Sequence, residues 1–171
     1  QTSKMPFVVG VGSSAGGIEA LINLVSNLPE KLNASLVIAQ HLSPSHKSQM
    51  TDILARETRY EVQEIEDNVA PKNNVIYVGP PGHHVIYREG RLRLEKKPED
   101  VTPKPSVNLL FESLADELGD HSVGVVLSGT GSDGSRGLRA VKSAGGYAIV
   151  QSPETAKYDG MPTASLQSVE V

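Results

Sequence analysis

Ser14 stands within Gly12-Ser13-Ser14-Ala15-Gly16, which fits the G-x-S-x-G spacing of a nucleophile turn. A serine in such a bend is pushed out at the carboxyl end of a strand, with its hydroxyl at the positive end of the following helix. That suits an oxygen nucleophile whose attack generates an oxyanion. The hydroxyl needs a general base, and the base needs a third group to fix its tautomer and stabilise the imidazolium. His41 and Asp133 are of the required types. Plainer readings stand beside this one. Gly10, Gly12 and Ala15 also satisfy the dinucleotide spacing G-x-G-x-x-A, where glycines let a pyrophosphate approach the backbone. His41 can equally be a loop histidine and Asp133 a helix N-cap. Thr130 and Gly131 either lend backbone N–H groups to an oxyanion or are simple turn residues.

The surrounding pattern decides whether these residues can meet. Residues 7–11 form an apolar run typical of a strand buried on both faces, and 16–28 follow with Ile18, Leu21, Ile22 and Val25 on one helical face, closed by Pro29. A second buried strand spans 35–40 and ends at His41, and a helix is expected over 46–57 with Met50, Ile53 and Leu54 inward. Residues 60–65 read as a short strand, 68–74 as a loop and 75–78 as a better strand. Alternation on both sides of Glu89-Gly90, over 84–94, predicts an antiparallel hairpin whose Arg88, Arg91 and Arg93 form a solvated face. A charged loop over 96–104 leads to a helix over 105–118, with Ser106 near its start, then to a strand over 122–127. The glycine-rich turn 129–134 enters a helix over 135–143, a last strand covers 147–150, and 151–171 read as irregular, with a corner at Gly160-Met161-Pro162. His46 and His121 are expected at the surface.

Strands alternating with helices imply βαβ units: an α/β, doubly wound, mostly parallel sheet with helices on both faces, plus the one antiparallel hairpin. Sites in such sheets form at the carboxyl ends of the strands. Ser14 follows the first strand, His41 the second and Asp133 the strand over 122–127, so the topology brings all three to one edge. The chain order serine, histidine, aspartate differs from that of the α/β-hydrolases, so the turn does not place the chain among them. The dinucleotide reading requires an acidic residue where the second strand ends; residues 35–40 contain none.

Composition narrows the classes further. The 171 residues suit one domain, 1–171, and 38% hydrophobic with 21% charged residues is ordinary for a soluble globular protein. A formal net charge of -4 argues against a nucleic-acid partner. The absence of cysteine excludes disulfides, thiolate catalysis and cysteine-ligated zinc, and allows a reducing cytoplasm, the expected location. No cofactor or metal is expected. No apolar run approaches the roughly 20 residues of a membrane helix. The chain opens at Gln1 just before the first strand, as a domain cut from a longer polypeptide would.

Taken together, the chain resembles the catalytic domain of the chemotaxis-receptor protein-glutamate methylesterases, the CheB family. The resemblance runs through residues 9–17, Gln40-His41, Gly79-Pro80-Pro81-Gly82-His83-His84, Pro105-Ser106-Val107, residues 127–134 and Gly160-Met161-Pro162. It implies a triad on Ser14, His41 and Asp133, backbone at Ala15, Thr130 and Gly131 facing the oxyanion, and His84 beside the substrate pocket. It also implies hydrolysis of γ-glutamyl methyl esters on the signalling domains of methyl-accepting chemoreceptors, with deamidation of receptor glutamines as a second acyl transfer. A receiver domain, or a methyltransferase domain of the same longer chain, is the implied partner. Two departures stand out. Lys104 and Asn108 occupy places where the family often has arginine and aspartate, and Ala15 one where threonine is common. The first pair bears on substrate contacts and leaves room for a weakly catalytic receptor-docking module.

Overall fold

The computed structural model describes residues 5–41, 49–96 and 105–170. Six strands form one parallel sheet: β1 (Phe7–Ser13), β2 (Ala34–Gln40), β3 (Glu61–Glu64), β4 (Val75–Val78), β7 (Ser122–Val126) and β8 (Tyr147–Val150), in the order β3-β4-β2-β1-β7-β8. The hairpin of β5 (His84–Arg88) and β6 (Arg91–Glu95) is a separate antiparallel pair. Its turn residues Glu89 and Gly90 both have positive φ, 54° and 78°, the conformation a two-residue hairpin turn needs.

Side-chain alternation divides the core between the two faces of the sheet. On β2, Leu36 and Ile38 point to the face covered by α1 (Gly17–Ser26) and α2 (Met50–Ala55), where they meet Leu21, Val25 and Leu54. Val37 and Ala39 point the other way, toward α3 (Val107–Leu118), α4 (Ser135–Ser143) and the hairpin, where Phe111, Leu114 and Leu138 are fully buried. Strand β4 repeats the pattern with Ile76 and Val78 on one side and Val75 and Tyr77 on the other. Gly10 and Gly12 of β1 lie under α3: an added Cβ would come within 2.9 Å of Leu114 and 2.3 Å of Val107. They seat a helix against the sheet, which explains the spacing that imitates a dinucleotide fingerprint.

The elements follow the expected order, with three differences. Strand β1 runs two residues further than 7–11, through Gly12 and Ser13, so the nucleophile turn begins inside a strand. The helix expected over 46–57 lies partly outside the described residues; its described part is α2. The tail expected to be irregular contains α5 (Gly160–Ser168). Gly160 and Pro162 read as chain breakers, yet both sit in the first turn of this helix, where the N–H that proline lacks would have no intrahelical acceptor.

From β1 the chain proceeds to β2 on one side and later returns to β7 on the other. The crevice at their carboxyl ends is therefore the topological switch point, where open α/β sheets bind ligands. Among the described residues no helix is long and apolar enough to cross a membrane.

Candidate active site

Register sets the first distance. Ser13 pairs with Gln40 in the parallel ladder of β1 and β2, so Ser14 and His41 are the next residues on neighbouring strands, which run about 4.8 Å apart. The ladder continues past the strand ends, with the His41 N–H donating to Ser13 O at 3.1 Å and the Ser14 N–H to Ser128 O at 2.9 Å. Beneath them Ser13 Oγ is hydrogen bonded to Gln40 Oε1, and Gln40 Nε2 donates to Ser14 O at 2.8 Å. The turn then enters α1 through Gly16, at φ 72°. A side chain there would be strained in this backbone region and would press within 2.8 Å of Lys157 and Ser128.

Asp133 meets His41 from the loop after β7. His41 Nε2 lies 2.7 Å from Asp133 Oδ2, and both side chains are largely buried. The same carboxylate caps α3, accepting the Val107 N–H at Oδ2 (2.8 Å) and the Asn108 N–H at Oδ1 (2.9 Å). Burial alone pushes the Asp133 carboxyl up. The hydrogen bonds from His41, Val107 and Asn108, with the charge of the imidazole, outweigh it and hold the carboxyl below the ordinary aspartate value. An ionised Asp133 accepts only, so Nε2 carries the imidazole hydrogen and Nδ1 is left as the ring's basic nitrogen.

Ser14 Oγ, largely buried, accepts the Thr130 N–H at 3.0 Å and lies 3.4 Å from the sulfur of Met161. The Ala15 N–H has no protein acceptor among the described residues. Thr130 and Gly131 are exposed. Gly129 is irreplaceable at this point, since an added Cβ would lie 2.4 Å from Ser14 Oγ and 2.2 Å from Met161 Sδ. A depression of about 240 Å³ opens beside Ser14, bounded by Ile18, Glu19, Gln40 and Lys157. A larger one, about 1000 Å³, lies at the other end of the strands against Pro29, Arg56 and Tyr60, away from all three residues.

The structure thus brings Ser14, His41, Asp133, Ala15 and Thr130 to one edge, as the topology predicts. His84 departs from expectation. It is fully buried and has no surface to offer a substrate; its Nδ1 accepts the Ser106 N–H at 3.0 Å. Its place in β5 makes it a support for the start of α3, and so for Asp133. Asn108 also departs: its Oδ1 accepts the N–H groups of Gly134 (3.0 Å) and Gly137 (2.8 Å). Its amide oxygen holds the start of α4, a job one carboxylate oxygen would do as well. Lys104 and His46 lie outside the described residues. His121 is partly exposed, stacked on Phe7 with ring centroids 4.2 Å apart. The contacts of Gly129 and Met161 with Ser14 carry no local sequence signal, because they join residues more than a hundred positions apart.

A serine beside a histidine–aspartate pair, with the Thr130 backbone N–H donating to its oxygen, is a hydrolase arrangement. Comparison with known proteins agrees. The family model described as CheB methylesterase matches residues 9–171. A protein-glutamate methylesterase/protein-glutamine glutaminase of Archaeoglobus fulgidus is 34% identical over 161 residues, covering 92% of this chain and 46% of that protein. One from Oleidesulfovibrio alaskensis is 38% identical over 161 residues, covering 92% and 44%, while a Leptospira interrogans relative, 32% identical, is covered to 84%. The crystal structure of the Thermotoga maritima CheB methylesterase catalytic domain superposes with a TM-score of 0.88 at 28% identity, over 96% of this chain and 89% of that one. Fold and sequence thus converge, and the chain belongs to the CheB methylesterase family.

Proposed function

We propose that this protein is a serine hydrolase that removes methyl groups from γ-glutamyl methyl esters of chemoreceptor signalling domains, and that deamidates receptor glutamines at the same site. The observation that carries this reading is the His41–Asp133 pair at 2.7 Å beside Ser14 on the adjoining strand end. Ser14 Oγ attacks the ester carbonyl carbon while His41 Nδ1 takes its proton, and Asp133 holds the imidazolium. The oxyanion is met by the N–H groups of Ala15 and Thr130, aided by the amino end of α1. Collapse breaks the bond to the methoxy oxygen, which receives the proton from His41 and leaves as methanol. Water, deprotonated by the same histidine, then attacks the acyl-serine and frees the glutamate; with a glutamine substrate the leaving group is ammonia.

The relatives from Archaeoglobus fulgidus and Oleidesulfovibrio alaskensis are more than twice as long as the aligned segment. A receiver or methyltransferase domain in the same polypeptide would place this activity under signalling control in the cytoplasm. A docking-only module would have no use for the His41–Asp133 hydrogen bond that fixes the imidazole tautomer. The experiment is methanol release from a methylated receptor signalling fragment. Turnover supports the reading; receptor binding without methanol would instead favour docking.

A further inference from the structure

Among the described residues Ser14 Oγ has two hydrogen-bond partners, and His41 is neither of them. Its oxygen takes the Thr130 N–H, and its hydrogen is directed to Met161 Sδ. A thioether sulfur is a weak acceptor, but this one is fixed. Met161 is fully buried. Its N–H donates to Gly129 O at 2.9 Å, while the Gly129 N–H donates to Tyr158 O at 3.0 Å. The missing side chain at Gly129 is what leaves room for the sulfur to reach the serine. The N–H that would serve the oxyanion is thus filled by the nucleophile's own oxygen, and the proton that His41 must take is held elsewhere.

We infer that Met161 is a positioning residue that holds Ser14 in a resting arrangement, from which a substrate carbonyl oxygen releases it by taking over the Thr130 N–H. The inference rests on the hydrolase reading of Ser14. The free serine has a hydroxyl hydrogen for the sulfur to hold, whereas the acyl-serine has none. Loss of the sulfur at constant shape therefore speeds acylation and leaves deacylation unchanged.

The test follows both steps with a small activated ester such as p-nitrophenyl acetate, together with fluorophosphonate labelling located by mass spectrometry. The proteins compared are the parent, Met161→Leu, and protein in which norleucine replaces all three methionines, which keeps the unbranched shape and loses only sulfur. The expected result is acylation of Ser14 faster by about two- to fivefold, the scale of one weak hydrogen bond, with deacylation and melting temperature unchanged. Equal or slower acylation in the folded sulfur-free proteins overturns the role of Met161 alone. No labelling of Ser14 in any protein, the parent included, overturns the hydrolase reading and this inference with it.

Discussion

At the scale of single residues the site depends on where small groups are missing and where one charge is held. Gly129→Ala would drive a methyl group into the space shared by Ser14 Oγ and Met161 Sδ. A displacement of about 1 Å at a reacting atom costs on the order of 10²-fold, so kcat is expected to fall by about that factor, with the far-UV circular dichroism unchanged. Asp133 makes a pH prediction. Its carboxyl is held below the value it has in the unfolded chain, so the stability it contributes is fully present above about pH 4 and lost as pH falls through the folded-state value. Urea midpoints of the parent and Asp133→Asn should therefore lie apart above about pH 5 and converge as pH is lowered below about 4. A gap that fails to narrow on acidification would contradict the assignment.

At the scale of elements, two helices are held by each other's neighbours. Asp133, in the loop before α4, accepts the first N–H groups of α3, and Asn108, in α3, accepts those of Gly134 and Gly137 at the start of α4. Asn108→Ala removes both of its bonds. Losses at helix starts of this kind cost about 1–2 kcal/mol, so a thermal midpoint lower by about 2–8 °C is expected by calorimetry. This exchange was illegible in the sequence, where Asn108 reads as a missing carboxylate at a substrate surface and Asp133 as either catalyst or cap. The structure makes Asp133 a cap of α3, as well as the partner of His41. Helix α5 was hidden for a different reason. Gly160, Met161 and Pro162 carry the local signature of a corner, and only burial of Met161 beneath Ser14 and of Ser165 shows why the chain turns helical there. His84 lay in a block that carries the family resemblance, but whether a strand residue faces a pocket or the underside of a helix is decided by packing.

At the scale of the molecule, the doubly wound parallel sheet was readable because apolar runs ending in polar residues alternate with helical periods, and parallel crossovers leave few topologies. Placing Ser14, His41 and Asp133 at one edge required only that rule, since β1, β2 and β7 are neighbours whose carboxyl ends coincide. What the rule could not supply is the direction of each side chain at that edge. The measurement that tests the account most directly compares kcat for methanol release in the parent, Ser14→Ala, His41→Ala and the double variant, all shown to be folded. Nucleophile and base act as one unit, so each single change is expected to remove most of the catalysis, and the double variant to be no slower than either. Substantial turnover by Ser14→Ala, or losses that multiply in the double variant, would contradict the assignment of these two residues to one proton-transfer step.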